Sequence, residues 1–182
     1  MANTSLSDHI KVFTGTLSPE HCQTLIDRFE ASPDREACQL QSGYSFSQLN
    51  VTQKWPDENK ILVPIFLSYF NQYQAALNAR FWPLSFSFEQ LRMKRYLPNG
   101  RDFFPLHVDV MGQVASRRFM TAFIYLNSTA GGETVFPYLD ITIPPEPGKL
   151  LAFPPIWLFP HAGLAPKSSP KYILHTYLCY PS

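Results

Sequence analysis

The stretch Arg118-Phe119-Met120-Thr121-Ala122-Phe123-Ile124-Tyr125-Leu126, closed by Gly131-Gly132 and followed by Glu133-Thr134-Val135-Phe136-Pro137, decides the fold. It reads as a long apolar strand, a glycine turn and a second, shorter strand. Working outward, further strands are expected at Phe86–Tyr96, Phe104–Val108, Leu139–Ile143, Lys149–Phe153 and Lys171–Cys179. Between them stand turn signals: Pro98-Asn99-Gly100, Pro144-Pro145, Pro147-Gly148 and Ser168-Ser169-Pro170. Many short strands so punctuated predict a mainly β chain of sandwich or jelly-roll type.

The first 83 residues read differently. After a strand at Ile10–Phe13, Ser18 can cap a helix whose first position takes Pro19, with Glu20 at the positive end of the dipole. Cys22, Leu25, Ile26 and Phe29 then form one apolar stripe. A second amphipathic segment runs from about Asp57 to Phe81, where Pro64 predicts a late start or a kink. This half is read as a helical support layer with the first strands, and residues 84–182 as the jelly-roll core of a single domain.

Composition narrows the function. The 182 residues are 45% hydrophobic and 15% aromatic, enough to bury a full core without staples. Fifteen Lys and Arg stand against 14 Asp and Glu, which offers neither a nucleic-acid footprint nor a polybasic membrane patch. The paired bases Lys94-Arg95 and Arg117-Arg118 are read as strand or rim residues. Cys22, Cys38 and Cys179 lack disulfide or zinc spacing, and Cys22 and Cys179 are expected as buried free thiols. Met1–Lys11 does not have the pattern of a secretory leader, and no stretch has the length and apolarity of a bilayer span. A cytoplasmic location is the resulting expectation; the oligomeric state is left open.

The chemistry-bearing residues are His107-Val108-Asp109 and the distant His161. On an extended segment, residues i and i+2 point the same way, so His107 and Asp109 can reach one ion. Two histidines and one carboxylate form the facial ligand set of non-haem Fe(II), which leaves positions open for co-substrate and O₂. Each element alone is weak: a His beside a surface Asp, or an isolated core His, is the common alternative. Lys171 would need an anion if it points into the fold, because an unpaired buried ammonium is costly; an outward-facing Lys is the alternative.

Taken in order, these motifs resemble the catalytic domain of the prolyl 4-hydroxylases, an Fe(II)/2-oxoglutarate oxygenase family. The resemblance rests on the Arg118–Leu126 strand, Gly131–Pro137, Pro147-Gly148-Lys149, His161-Ala162-Gly163 and Lys171-Tyr172, and runs from about Tyr96 to Tyr180. It implies a double-stranded β-helix and a dioxygenase that hydroxylates an unactivated C–H with release of succinate and CO₂. The implied cofactors are Fe(II), 2-oxoglutarate and O₂, with ascorbate as a reductant. By resemblance, His107, Asp109 and His161 are metal ligands, Lys171, Tyr125 and Tyr96 hold 2-oxoglutarate, and Arg118 contacts substrate. Asp109, where halogenating relatives carry Gly or Ala, favours hydroxylation.

His175 shares a strand face with Lys171 and is read as a pocket-wall residue, a catalytic candidate and a rival to His161. His9 and His21 are read as structural, and Trp157 as a core anchor. Phe104 stands where the family commonly has Tyr, and the connection from Asp109 to Arg118 is short. Both departures leave peptidyl proline, a free amino acid and another small molecule open as substrates. A jelly-roll metalloenzyme without 2-oxoglutarate and a non-catalytic binding module are the competing readings.

Overall fold

The computed structural model describes residues 5–39 and 43–181, so the leader reading of Met1–Lys11 lies partly outside it. Two antiparallel sheets face each other. The larger contains β1 (Lys11–Phe13), β2 (Glu36–Gln39), β3 (Ser45–Asn50), β4 (Ser87–Phe88), β5 (Arg92–Tyr96), β7 (Arg118–Tyr125), β10 (Lys149–Phe153) and β12 (Lys171–Cys179). Its order is β1-β10-β7-β12-β5-β3-β2, with β4 along the end of β12. The smaller orders β6 (Phe104–His107), β11 (His161–Gly163), β8 (Thr134–Phe136) and β9 (Ile141–Ile143). This is the expected jelly roll with a helical layer.

The period-2 rule of strands explains how the large sheet serves two layers. On its outer face, Met120, Ala122 and Ile124 of β7 and Leu174 and Leu178 of β12 pack with the helices. On its inner face, Phe123 and Tyr125, Leu151 and Phe153, and Ile173 pack toward the small sheet with Phe136 and Phe159. All nine residues of β12 are buried. A strand covered on both faces reads as a continuous apolar run, which is why β7 was legible.

The covering helices are α1 (Pro19–Ala31), the short α2 (Val51–Lys54) and α3 (Pro56–Ala76). As expected, Ser18 caps α1, its hydroxyl accepting from the His21 amide at 3.2 Å, and Cys22, Leu25, Ile26 and Phe29 are buried. Leu62, Phe66, Phe70 and Tyr73 form the buried stripe of α3. His21 bonds Glu58 across the two helices at 2.6 Å, a structural role. Among the described residues, no helix is long and apolar enough to cross a membrane.

Four expectations are corrected. The second helix does not start late: it begins at Pro56 and continues through Pro64. Pro64 lies on the exposed side, where water can reach the carbonyl that its missing N–H frees. The strand expected over Leu139–Ile143 is a 3-10 turn at Pro137–Leu139 followed by β9, because Asp140 takes a left-handed conformation with φ 52°. Phe86–Tyr96 is split into β4 and β5. Trp157 is no core anchor but 73% exposed: a tight turn, Phe159 N–H to the Ile156 carbonyl at 2.9 Å, buries Phe159 instead. The strands β2, β3 and β11 were not anticipated.

Candidate active site between the two sheets

Antiparallel register brings the separated motifs together. His107 ends β6 and His161 begins β11, and the two are direct partners across the ladder, with ring centroids 4.3 Å apart. Asp109 follows two residues beyond the strand end, after Val108. A donor atom from each of His107, Asp109 and His161 lies within 4.8 Å of the others, so the three can share one metal ion. His107 Nε2 is 3.5 Å from Asp109 Oδ1, and His161 Nε2 is 3.8 Å from Oδ2.

Second contacts fix which atoms are offered. The Nδ1–H of His107 donates to the Pro105 carbonyl at 2.7 Å, and that of His161 to the Phe159 carbonyl at 3.0 Å. Both imidazoles are thereby set as tautomers with the Nε2 lone pair free. Burial pushes His161 down to about 4, so it is neutral near pH 7. Burial alone would raise Asp109, but the His107 contact and the surrounding histidines hold it well below the usual carboxylate range. Tyr177 donates its hydroxyl to Asp109 Oδ1 at 2.8 Å, a contact that the sequence did not reveal.

One end of the pocket is built on the first residue of β12. Lys171 is 4% exposed and pairs in register with Tyr96. Its Nζ sits 5.3 Å from the Tyr96 ring and 5.6 Å from the Tyr125 ring, and among the described residues no carboxylate lies within 4.0 Å of it. Desolvation pulls this amine down to about 7. Tyr125 is fully buried and donates its hydroxyl to Thr134 at 2.7 Å, and of the two it is Thr134 that lines the pocket. Gly132, at φ +76°, leaves room for the lysine stem: a Cβ there would lie 3.1 Å from Lys171 Cδ.

Lys171, Ile173, His175 and Tyr177 all line the pocket, the alternation expected of a regular strand. His175 is not part of the metal-competent group. Its Nε2 meets Thr121 Oγ1 at 2.9 Å and its Nδ1 meets Lys94 Nζ at 3.0 Å, and burial keeps it neutral. Arg118 does not line the pocket. It makes a two-pronged pair with Glu89 at 2.7 and 2.9 Å and lies 3.9 Å above the Tyr177 ring. The pocket between these side chains is partly open to solvent. Phe104, packed 4.3 Å from the His107 ring, gives it an aromatic wall.

Comparisons with known proteins agree with this architecture. Residues 91–179 match the family described as the 2OG-Fe(II) oxygenase superfamily. No curated protein sequence matches the chain. Among solved structures, the 2OG complex of the viral collagen prolyl hydroxylase of Paramecium Bursaria Chlorella virus-1 superposes with TM-score 0.64 at 21% identity, covering 96% of this chain and 97% of that one. A prolyl hydroxylase from Trichoplax adhaerens, in complex with a hypoxia inducible factor peptide fragment, gives 0.73 at 14% identity, covering 95% and 84%. A Pseudomonas putida prolyl-4-hydroxylase gives 0.68 at 16% identity, covering 94% and 93%. With the fold of the prolyl hydroxylases over nearly the whole chain and the 2OG-Fe(II) oxygenase match over residues 91–179, the chain is a 2-oxoglutarate-dependent dioxygenase that uses Fe(II) and O₂.

Proposed function

We propose that His107, Asp109 and His161 hold the Fe(II), that Lys171 receives the distal carboxylate of 2-oxoglutarate, and that the enzyme hydroxylates a proline-bearing substrate. The observation that carries this reading is the convergence in one pocket of two free Nε2 atoms, a carboxylate and a buried ammonium that has no carboxylate within 4.0 Å among the described residues. Two nitrogens and one carboxylate on one side of an ion suit Fe(II) and leave its other positions open. The group fits the donors: each imidazole is already turned by its own carbonyl contact, and the ion needs no rearrangement of tautomers. Bound there, Fe(II) with 2-oxoglutarate and O₂ supplies the oxidising power that converts a C–H bond to C–OH, while 2-oxoglutarate becomes succinate and CO₂.

The remaining work falls to the protein's own side chains. Lys171 neutralises the carboxylate it receives, and the aromatic rings of Tyr96 and Tyr125 keep water from that charge pair. Thr134 accepts from Tyr125, so its own hydroxyl hydrogen remains free to donate into the pocket. Arg118 acts through Tyr177: anchored by Glu89, it stacks on the ring whose hydroxyl orients Asp109. Phe104, Phe123 and Ile173 give the apolar lining that a saturated ring or alkyl chain requires. Support for proline as the reacting group comes from the prolyl hydroxylase fold, and one of those neighbours is in complex with a peptide.

The test incubates the enzyme with Fe(II), 2-oxoglutarate and O₂ against prolyl peptides and L-proline, measuring succinate and the hydroxylated product by mass spectrometry. Fe(II)-dependent succinate coupled to hydroxyproline is the expected result. Succinate coupled to hydroxylation of another residue would overturn the proline assignment, and its complete absence would overturn the site.

A further inference from the structure

The family comparison leaves one pocket cation without a task. Lys94 lies on β5, two residues before Tyr96 and on the same strand face, and both line the cavity. Its Nζ is 3.0 Å from His175 Nδ1 and 5.5 Å from the Phe46 ring. An ammonium can only donate, so His175 accepts at Nδ1 and donates from Nε2 to Thr121, which fixes the neutral tautomer. That contact uses one of the three ammonium hydrogens. Among the described residues, no carboxylate lies within 4.0 Å of Lys94 Nζ.

Position separates the two lysines. Lys171 marks the start of the β12 wall, beside Tyr96, whereas Lys94 meets His175, four residues along that strand. The Lys94 backbone is in register with Ile173, two residues or roughly 7 Å from the start of the wall, and its side chain reaches on to His175. Charge points the same way. The pocket lining contains two lysines and a single carboxylate, Asp109. With Fe(II) on the ligand set and 2-oxoglutarate on Lys171, the formal charges leave one positive charge unmatched. Arg118, the cation expected to meet substrate, is already spent on Glu89 and Tyr177.

We infer that Lys94, held in place by the His175–Thr121 relay, binds a carboxylate of the substrate, so that the enzyme takes an amino-acid-like acid rather than the interior of a peptide chain. This rests on the metal and co-substrate reading above and specifies its substrate. The carboxylate can belong to a free amino acid or to the C-terminal residue of a peptide. Burial pulls the Lys94 amine down to about 8 in the open pocket, and a bound carboxylate would restore its charge.

The experiment loads the chain with Mn(II) and 2-oxoglutarate, a complex that binds but does not turn over, and measures ligands by titration calorimetry. The probes are L-proline and the other free amino acids, their carboxamides, a dipeptide ending in proline, and a tripeptide with an interior proline and both ends capped. A free carboxylate should bind saturably, with its carboxamide on the order of 10- to 100-fold weaker, the worth of one charge-assisted hydrogen bond. Lys94→Met should erase that difference and Lys94→Arg should keep part of it, while both retain 2-oxoglutarate affinity and the thermal melt of the parent. Binding of the free amino acid alone, or of the C-terminal dipeptide as well, tells the two carboxylate sources apart.

The inference is overturned if the capped tripeptide binds best and equally in Lys94→Met, if no carboxylate saturates the loaded enzyme, or if Lys94→Met loses 2-oxoglutarate instead. Failure of Mn(II) and 2-oxoglutarate to load would strike the site reading itself and this inference with it, an outcome visible before any substrate is added.

Discussion

The two faces of β12 are equally buried and do opposite things. Tyr172, Leu174 and Leu178 point into the helical layer, where they meet residues such as Phe29 and Leu62. Lys171, Ile173, His175 and Tyr177 point into the cavity, where three of the four carry polar atoms. Burial alone therefore does not mark a core position in this fold. The outer face gains stability by excluding water from apolar surface. On the inner face, His175 is satisfied by its neighbours, whereas Lys171 has no carboxylate within 4.0 Å among the described residues.

Substitutions on the two faces should separate stability from ligand binding. Leu174→Ala, on the outer face at 0% exposure, should cost about 2–5 kcal/mol in denaturant unfolding and leave metal affinity intact. A matching loss of Fe(II) binding at temperatures where the variant stays folded would break the division. Lys171→Ala, on the inner face, should raise the 2-oxoglutarate requirement by on the order of 100-fold, with little change in the melting curve.

The pH dependence of co-substrate binding sharpens the same contrast. Desolvation sets free Lys171 at about 7, and a dicarboxylate needs the ammonium form. Affinity should be full below pH 7 and fall as pH rises, approaching about tenfold per unit. A flat profile between pH 6 and 9 would show that another group grips the co-substrate. Tyr177→Phe should have the smallest effect, weakening metal binding by about tenfold through the lost contact to Asp109 while keeping the ring beneath Arg118.

Much of this was legible because local chemistry announced it. The run Arg118–Leu126 and the Gly131-Gly132 turn defined the central strand and its exit. His107, Asp109, His161 and Lys171 stood in recognisable context, and the structure brings all four to one cavity. What stayed hidden depended on long-range register. The strand β3, Ser45–Asn50, alternates polar and apolar residues weakly and is held by pairing with β2 and β5.

Lys94 reads only as a strand or rim residue because sequence does not show that β5 lies against β12, or that His175 waits at 3.0 Å. The hydroxyls of Thr134 and Tyr177 were equally silent, since their partners come from other strands. Trp157 misled for the converse reason: aromatic bulk suggested a core anchor, but one turn decides which of Trp157 and Phe159 is buried.

The most direct test of the metal site is an anaerobic optical titration, first with Fe(II) and then with 2-oxoglutarate, on the parent protein and on His161→Ala. The parent should bind one equivalent of Fe(II) and develop a weak visible charge-transfer band when 2-oxoglutarate is added, and the band should be missing in His161→Ala. A parent that develops no band, or a variant that develops the full band, would contradict the assignment of His107, Asp109 and His161 as the iron site.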